Sequence, residues 1–196
     1  KNRFGSTSEV AILEMADNGL RIVDNPSKEL LKERQITDGS VVLATMEGTR
    51  PVLVEVQALV NKTTYGYPKR TASGFDINRL NLLIAVLEKR TKLNLADKDI
   101  YINIVGGIRV TENAADLAVC MAIGSAAKGL KLKTNSVVFG EVGLSGEVRH
   151  VASVEKRILE STKMGFKQTI GPKSKAVTSP NYYRAKDIRT TLNDFL

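Results

Sequence analysis

The chain has 196 residues, and its 29 Lys and Arg residues against 21 Asp and Glu residues leave a net charge of +8. A basic excess of this size favours polyanionic partners, either nucleic acid or an anionic membrane surface. The single cysteine, Cys120, excludes an intrachain disulfide framework and a zinc site built from several thiolates. The single histidine, His150, excludes the usual histidine-rich metal sites.

The amino-terminal residues carry charges with no apolar run behind them, which is not the pattern of a signal peptide. No apolar run in the rest of the chain is long enough to span a bilayer, so we predict no membrane partner. Because the chain begins at Lys1 and is poor in thiols, we expect a fragment of a longer cytoplasmic protein.

The first part of the chain is too short to form a domain of its own. Residues 8–23 have the pattern of two short strands around a turn, and a short charged helix is predicted to end near Arg34. Asp38-Gly39 then marks a break. Because so few residues bury too little surface to fold alone, we expect residues 1–37 to end a preceding domain and residues 38–196 to form a second one.

From residue 40 onward, patterns typical of strands and helices follow one another along the chain. Strands are predicted over residues 41–45, 52–60, 100–105, 137–139, 142–144 and 168–170. Helices are predicted over residues 75–93, 114–129 and 151–165. This alternation indicates a mixed α/β (α+β) domain.

The sequence lacks several motifs that would carry chemistry. No Gly-x-x-x-x-Gly-Lys-Ser/Thr loop occurs, and Gly106-Gly107 lacks the third glycine of a dinucleotide-binding motif. A lone His150 is more often structural than part of a Ser-His-Asp triad. Cys120 lies in an apolar helical stretch, where a buried thiol is more common than a nucleophile. We therefore expect no metal and no cofactor on this chain.

Three stretches, taken together, resemble the RadA (Sms) family of bacterial DNA-recombination ATPases. Lys1-Asn2-Arg3-Phe4-Gly5 is similar to the KNRFG motif of that family, and residues 47–60 resemble the strand pair that opens its Lon-protease-like domain. Residues 140–149 are similar to a Gly-Glu-Val-x-Leu-x-Gly-x-Val run of Lon proteases. The resemblance covers essentially the whole chain. It implies a Lon-protease-like fold, preceded by the terminal strands of a RecA-like ATPase core.

The comparison with Lon peptidases implies that the peptidase site has been lost. Lon peptidases carry a Ser nucleophile in an Asp-Gly-Pro-Ser-Ala-Gly segment and a Lys base in a later Gly-Gly-Leu-Lys-Glu-Lys segment. The matching positions here are Asp116 and Glu155. Two carboxylates replace the hydroxyl and amine that this chemistry needs, and they would repel each other in a dry site. One alternative is a residual peptidase in which Lys156 partners Ser153 or Ser125.

The resemblance also implies an assembly and its ligands. Members of the family form hexamers that move along single-stranded or branched DNA, and a RecA-type recombinase is a further partner. ATP and Mg²⁺ would bind the ATPase core and a zinc ion the amino-terminal finger, both in the longer protein. The KNRFG motif, Lys1–Gly5, would sense a neighbour's nucleotide in the manner of an arginine finger.

Basic residues with aromatic neighbours are the candidates for contacts with DNA. Cations bind phosphates, and rings such as Tyr65 and Tyr67 stack on unpaired bases. The alternative is a solvated helix end with tyrosines packed inside. Lys128, Lys131 and Lys133 follow the end of a helix, where the helix dipole explains them without DNA. The predicted DNA contacts are Lys69, Arg70, Arg79, Arg109 and Arg149.

The sequence thus predicts a DNA-binding and hexamerisation scaffold of an ATPase acting in recombination, branch migration and DNA repair. Two alternatives stay open at this point. The first is the residual Ser/Lys peptidase, and the second is an oligomerisation module that makes no contact with DNA.

Overall fold

The structure is a computed structural model that describes residues 13–16, 19–64, 66–174 and 177–196. The predictions for residues 1–12, which include the KNRFG motif, lie outside the described residues. Within these ranges, no helix is both long and apolar enough to cross a membrane.

The described residues form strands and helices in alternation. The strands are β1 Leu13–Ala16, β2 Gly19–Ile22, β3 Ser40–Glu47, β4 Arg50–Lys62, β5 Arg70–Ser73, β6 Lys98–Ile104, β7 Ser136–Val138, β8 Glu141–Val142, β9 Val148–Arg149, β10 Gln168–Pro172 and β11 Tyr182–Ala185. The helices are α1 Pro26–Leu30, α2 Ile77–Arg90, α3 Asp116–Lys128, α4 Val154–Lys163 and α5 Ile188–Phe195. The predicted mixed α/β class is confirmed.

Helices α2, α3 and α4 lie within their predicted ranges and are shorter than predicted. Helix α1 and strand β8 end earlier than the sequence predicts, and four short elements were not predicted. Helix α1 ends at Leu30 rather than near Arg34, because Lys32 N–H donates to the Glu29 carbonyl at 3.3 Å and closes a tight turn. Strand β8 stops at Val142, since the next residues form the turn that leads to its antiparallel partner, β9. The elements that the sequence analysis missed are β5, β9, β11 and α5.

The centre of the fold is a seven-stranded mixed sheet in the order β11-β10-β7-β3-β4-β6-β5. Strands β3 and β4 form an antiparallel hairpin, and β4 also pairs antiparallel with β6. The other neighbours in this sheet run parallel. Parallel pairs need crossover connections, which here include α2, between β5 and β6, and α4, between β7 and β10.

Helices cover both faces of the sheet. Residues 40–45 of β3 are buried at every position, which requires cover on both sides of a strand. Helix α3 packs on β3 and β4 and also contacts α2 and α5. Helix α4 contacts the same two strands and is joined to α1 by the 2.6 Å hydrogen bond from Ser27 to Glu160. The core therefore lies between the sheet and two separate groups of helices.

The segment before the predicted boundary at residue 37 packs on the domain that follows it. Ser27 is fully buried and its hydroxyl accepts from Leu53 N–H at 3.1 Å. The Arg34 guanidinium donates to Ser40 at 3.2 Å and to Asn135 at 2.9 Å. These contacts attach residues 26–34 to the sheet, while the division of the chain at residue 37 stays a prediction.

Candidate functional site at the start of helix α3

Asp116, which the sequence comparison aligned with the nucleophile of Lon peptidases, is a fully buried carboxylate. It is the first residue of α3, where a negative charge is stabilised by the helix dipole. One oxygen accepts from Arg79 Nε at 3.0 Å, and the other accepts from Arg79 Nη2 and from Val142 N–H, the latter at 3.0 Å. Arg79 reaches it from α2. The carboxylate is thus held by three donors of the protein itself.

The charges of this pair respond to burial and to each other. Burial raises the pKa of Asp116 above its ordinary value, and it outweighs the opposing effect of the bonds from Arg79 and Val142. The hydrogen bond to Asp116 raises the pKa of Arg79, so the guanidinium stays charged. A carboxylate in this arrangement anchors α2, α3 and β8 to one another and offers neither a hydroxyl nor a thiol for nucleophilic attack.

Glu155, which the sequence comparison aligned with the lysine of Lon peptidases, does not contact Asp116. It is exposed in the first turn of α4 and does not line the cleft beside Asp116. The expected repulsion between the two carboxylates therefore has no counterpart in the structure, because Asp116 faces Arg79 while Glu155 faces solvent.

The alternative serine–lysine pair is not formed either. Lys156 is exposed, and its Nζ donates to the Thr49 carbonyl at 3.2 Å. Ser125 is buried, where its hydroxyl donates to the Leu130 carbonyl at 2.6 Å and accepts from Gly39 N–H at 2.8 Å. Among the described residues, no hydrogen bond joins Lys156 to Ser125 or to Ser153.

A cleft of about 380 Å³ opens beside the buried Asp116. The turn before α3, the start of α2 and the loop after β6 form its walls. Carboxylates outnumber guanidinium groups there, so the cleft is acidic rather than basic. The charged residues that line it are Asp76, Arg79, Arg109, Glu112 and Asp116.

A second buried ion pair next to this cleft was not predicted. Arg157 of α4 is 1% exposed, and its Nη2 and Nη1 donate to the two Glu112 oxygens at 2.6 and 2.9 Å. Burial works to raise the pKa of Glu112, but the bonds from Arg157, Thr45 and Met46 N–H together lower it. Arg157 lies three residues after buried Val154, on the buried face of its helix. A buried arginine needs a partner. The helical spacing could have shown that Arg157 is buried, but it does not show which carboxylate pairs with it.

Two of the predicted DNA contacts have partners within the protein. Arg70 is half-buried, and its guanidinium donates to the carbonyls of Leu95, at 3.0 Å, and Lys98. Arg79 is held by Asp116, as described above. These guanidinium groups satisfy buried acceptors, and this explains their positions without a ligand.

The other three candidates are exposed. Arg149 in β9 lies beside Glu147, with 3.5 Å between Nε and Oε1, and its side chain is 59% exposed. Arg109 makes no hydrogen bond or ion pair with any described residue and reaches the cleft beside Asp116. Lys69 precedes β5. Of the five candidates, Arg79 and Arg109 line the same cleft.

The aromatic residues near these cations differ in exposure. Tyr67 is 89% exposed, whereas Phe75 is buried against the core. Tyr65 lies outside the described residues. The exposed ring of Tyr67 is therefore able to stack on a base, whereas the buried ring of Phe75 is not.

Neither Cys120 nor His150 has a hydrogen-bond partner among the described residues that would support catalysis. Cys120 is completely buried in α3, and burial raises the pKa of its thiol well above the ordinary value. His150 is exposed. No cluster of three or more His, Cys, Asp or Glu side chains suited to a metal ion occurs in the described part of the chain.

Comparison with known proteins connects these observations to a family. A family model described as subunit ChlI of Mg-chelatase matches residues 78–175, half of the chain, including the Asp116 site. A DNA repair protein RadA of Halalkalibacterium halodurans is 49% identical over 88% of this chain and 38% of its own length. The Listeria monocytogenes RadA is 46% identical over 96% of this chain and 41% of its own length. The Escherichia coli RadA is 47% identical over 88% of this chain and 38% of its own length.

The chain spans about two fifths of the length of these curated relatives. The high identity over nearly all of its residues agrees with the resemblance carried by the three sequence stretches. The chain belongs to the RadA family of bacterial DNA repair proteins, and its residues 78–175 belong to the family described as subunit ChlI of Mg-chelatase.

Proposed function

We propose that this chain is the non-peptidase scaffold of a RadA-type DNA repair ATPase, and that it contacts DNA and supports a hexameric ring in the cytoplasm. The observation that carries the proposal is the state of Asp116. A position that holds the nucleophile in Lon peptidases here holds a buried carboxylate bonded to Arg79 and Val142 N–H. In this proposal the Lon-like domain serves as a scaffold and a contact surface and does not hydrolyse peptides.

Exposed cations support the part of the proposal that concerns DNA. Lys69, Arg109 and Arg149 all reach solvent, and the whole chain carries a net charge of +8. The names of the relatives describe DNA repair proteins. Contact with phosphates through such side chains releases counterions and makes binding depend steeply on salt.

The remaining parts of the proposal concern the longer protein. ATP and Mg²⁺ would bind its ATPase core, and zinc its amino-terminal finger. The KNRFG motif of this chain would contact a neighbour's nucleotide, and branch migration with a RecA-type recombinase would follow from ring movement on DNA. Support for these parts comes from the family resemblance and from the greater length of the relatives, of which this chain spans about two fifths.

Binding of the chain to a fluorescent oligonucleotide, followed by anisotropy at several salt concentrations, tests the DNA contact. The triple variant Lys69→Gln/Arg109→Gln/Arg149→Gln removes three exposed cations. We expect it to weaken binding at low salt by about tenfold or more and to reduce the slope of log K against log salt by about two to three.

A matched variant controls for the change in net charge. Lys28→Gln/Lys163→Gln/Lys167→Gln removes three other exposed cations that make no side-chain ion pair with the described residues. The DNA-contacting role of Lys69, Arg109 and Arg149 would be contradicted by equal losses in the two triple variants. DNA binding that is absent from the unaltered chain would favour a pure oligomerisation module.

A further inference from the structure

We propose that the ends of α2 and α3 and the start of α5 form a second contact surface for the sugar-phosphate backbone of DNA. We call it the basic cleft and define it by Lys92, Lys128 and Arg189 around a floor that includes Leu93 and Leu192. This inference rests on the proposed contact with DNA. It assigns that contact, in part, to residues whose positive charge the helix dipole alone was expected to explain.

The basic cleft lies at the opposite end of α2 and α3 from Asp116. Helix α2 begins beside the Asp116 cleft and ends at Arg90, next to Thr91 of the basic cleft. Helix α3 likewise runs from Asp116 to Lys128. At 1.5 Å per residue, helices of this length separate the two sites by roughly 20 Å. The two clefts are therefore distinct places on the domain.

The charge of the two clefts is opposite. The basic cleft encloses about 480 Å³, and its lining contains three cations and no carboxylate. The cleft beside Asp116 contains three carboxylates and two guanidinium groups. A polyanion such as DNA is attracted to the first lining, whereas the carboxylates of the second offset the charge of its guanidinium groups. The charge of the lining residues, more than the net charge of +8 on the whole chain, favours the basic cleft as a place where DNA binds.

The cations of the basic cleft keep unused hydrogen-bond donors. Arg189 Nε donates to the Arg90 carbonyl at 2.6 Å, which leaves its two terminal nitrogens without a partner among the described residues. Lys92 and Lys128 are exposed and also make no side-chain hydrogen bond or ion pair with the residues that the structure describes. Planar guanidinium and mobile ammonium groups of this kind are the usual ligands of phosphate oxygens.

Stabilisation of helices accounts for only part of this arrangement. Lys128 is the last residue of α3, where a cation suits the helix dipole. Arg189, in contrast, is in the first turn of α5, where the dipole disfavours a cation. Lys92 lies beyond the end of α2. Arg189 thus stands where the dipole gives no reason for a cation.

Neighbouring side chains extend the positive surface. Lys133 Nζ donates to the carbonyls of Asn193, at 3.3 Å, and Asp194, at 3.1 Å, on the side of α5 that borders the cleft. The carboxylates of α5 are already engaged, because Asp187 caps the helix at Thr190 N–H and Asp194 accepts from a tyrosine hydroxyl. Duplex or single-stranded DNA that binds at this end of α2 and α3 would contact cations outside the basic cleft as well as within it.

The test compares the unaltered chain with the variant Lys92→Gln/Lys128→Gln/Arg189→Gln, using a fluorescein-labelled oligonucleotide of about 30 nucleotides, single-stranded and duplex. We expect the variant to bind at least about tenfold more weakly at about 50 mM salt and to lose about two to three from the salt slope. The Lys28→Gln/Lys163→Gln/Lys167→Gln variant should keep the slope of the unaltered chain. Thermal unfolding of all variants confirms that each is folded.

The outcomes separate this inference from the proposed function. A cleft variant that behaves like the control variant, while the Lys69/Arg109/Arg149 variant loses binding, overturns the basic cleft and leaves the proposed function standing. Equal, small losses in the cleft and control variants mean that only net charge matters and also overturn it. An unaltered chain that binds no DNA rejects both proposals together.

Discussion

The buried carboxylate of Asp116 receives its hydrogen bonds from groups of the protein itself. Its two oxygens receive bonds from Arg79 and from Val142 N–H, and the side chain has no contact with solvent. Breaking a buried pair by removing one partner leaves the other charge without compensation, which typically costs several kcal/mol. Replacing both members of the pair by neutral groups lowers the stability far less.

We therefore expect Asp116→Ala to lower the free energy of unfolding by about 3 kcal/mol, measured by urea denaturation. Glu155, the other residue aligned with the Lon catalytic pair, is exposed, and Glu155→Ala should change the free energy of unfolding by less than about 0.5 kcal/mol. The double variant Asp116→Ala/Arg79→Met should recover part of the loss, because the unpaired guanidinium is gone. Strictly additive losses would show that the two side chains are not coupled.

Glu112 predicts a dependence of stability on pH. Its pKa is lowered from the ordinary value of 4.5, so it contributes stability that is present above that pH and is lost as pH falls through its folded pKa. Glu112→Gln leaves buried Arg157 without its counter-charge and should cost about 3 kcal/mol at neutral pH. The difference from the unaltered chain should shrink below pH 4.5, where the unaltered carboxyl itself takes up a proton.

Urea midpoints measured from neutral pH down to about pH 3 check this expectation. Glu33→Gln, an exposed carboxyl on the same chain, serves as the matched control. A Glu112→Gln variant whose deficit stays constant over the whole range would mean that Glu112 does not titrate differently in the folded and unfolded states.

At the residue scale, the sequence identified Asp116 but not its partner. The alignment with Lon motifs located the position, whereas Arg79 lies 37 residues earlier and meets it only through the packing of α2 on α3. Arg157 and Glu112 are likewise brought together by tertiary structure. Pairs distant in sequence carry no periodic signal, and for that reason Arg79 was predicted as a DNA contact.

Among the elements, long periodic segments were predictable and short ones at the edges were not. Strands β3 and β4 carry continuous apolar runs, and α2 repeats its buried leucines at helical spacing. Strand β5 is an edge strand of four residues with alternating exposure, and β9 has only two residues. Such segments are defined by their pairing partners, which a local pattern does not contain.

The turn into β3 depends on a glycine that no other residue can replace without strain. Gly39 has φ +75°, and a Cβ built there would lie 2.2 Å from the Ala58 carbonyl oxygen. Its own carbonyl accepts from Ala58 N–H at 2.9 Å, so the two backbones cannot separate freely. The break that the sequence analysis placed at Asp38-Gly39 is thus a close approach of two chain segments.

Gly39→Ala should destabilise the chain by at least about 2 kcal/mol, since it adds both a left-handed alanine and a clash with backbone. The unfolding temperature, measured by differential scanning calorimetry, reports the effect. Gly19→Ala is the matched control, because its φ is also positive at +114° but no atom lies within 4 Å of the added Cβ. Equal effects of the two substitutions would show that the contact with Ala58 contributes nothing.

At the scale of the whole molecule, the charge is distributed unevenly. The domain has an acidic cleft at one end of α2 and α3 and a basic cleft at the other, together with exposed cations at Lys69 and Arg149. Composition predicted a polyanionic partner but not the surface that would meet it. The fold was needed to show that Arg70 and Arg79 are occupied by acceptors of the protein.

The proposed role as a DNA-contacting scaffold is tested most directly by the dissociation constant of the unaltered chain for a labelled DNA duplex, measured as a function of salt. We expect clear binding at about 50 mM salt that weakens by at least about a hundredfold on going to about 200 mM, as several phosphate contacts require. The absence of binding at low salt, or binding that does not change with salt, would contradict this role.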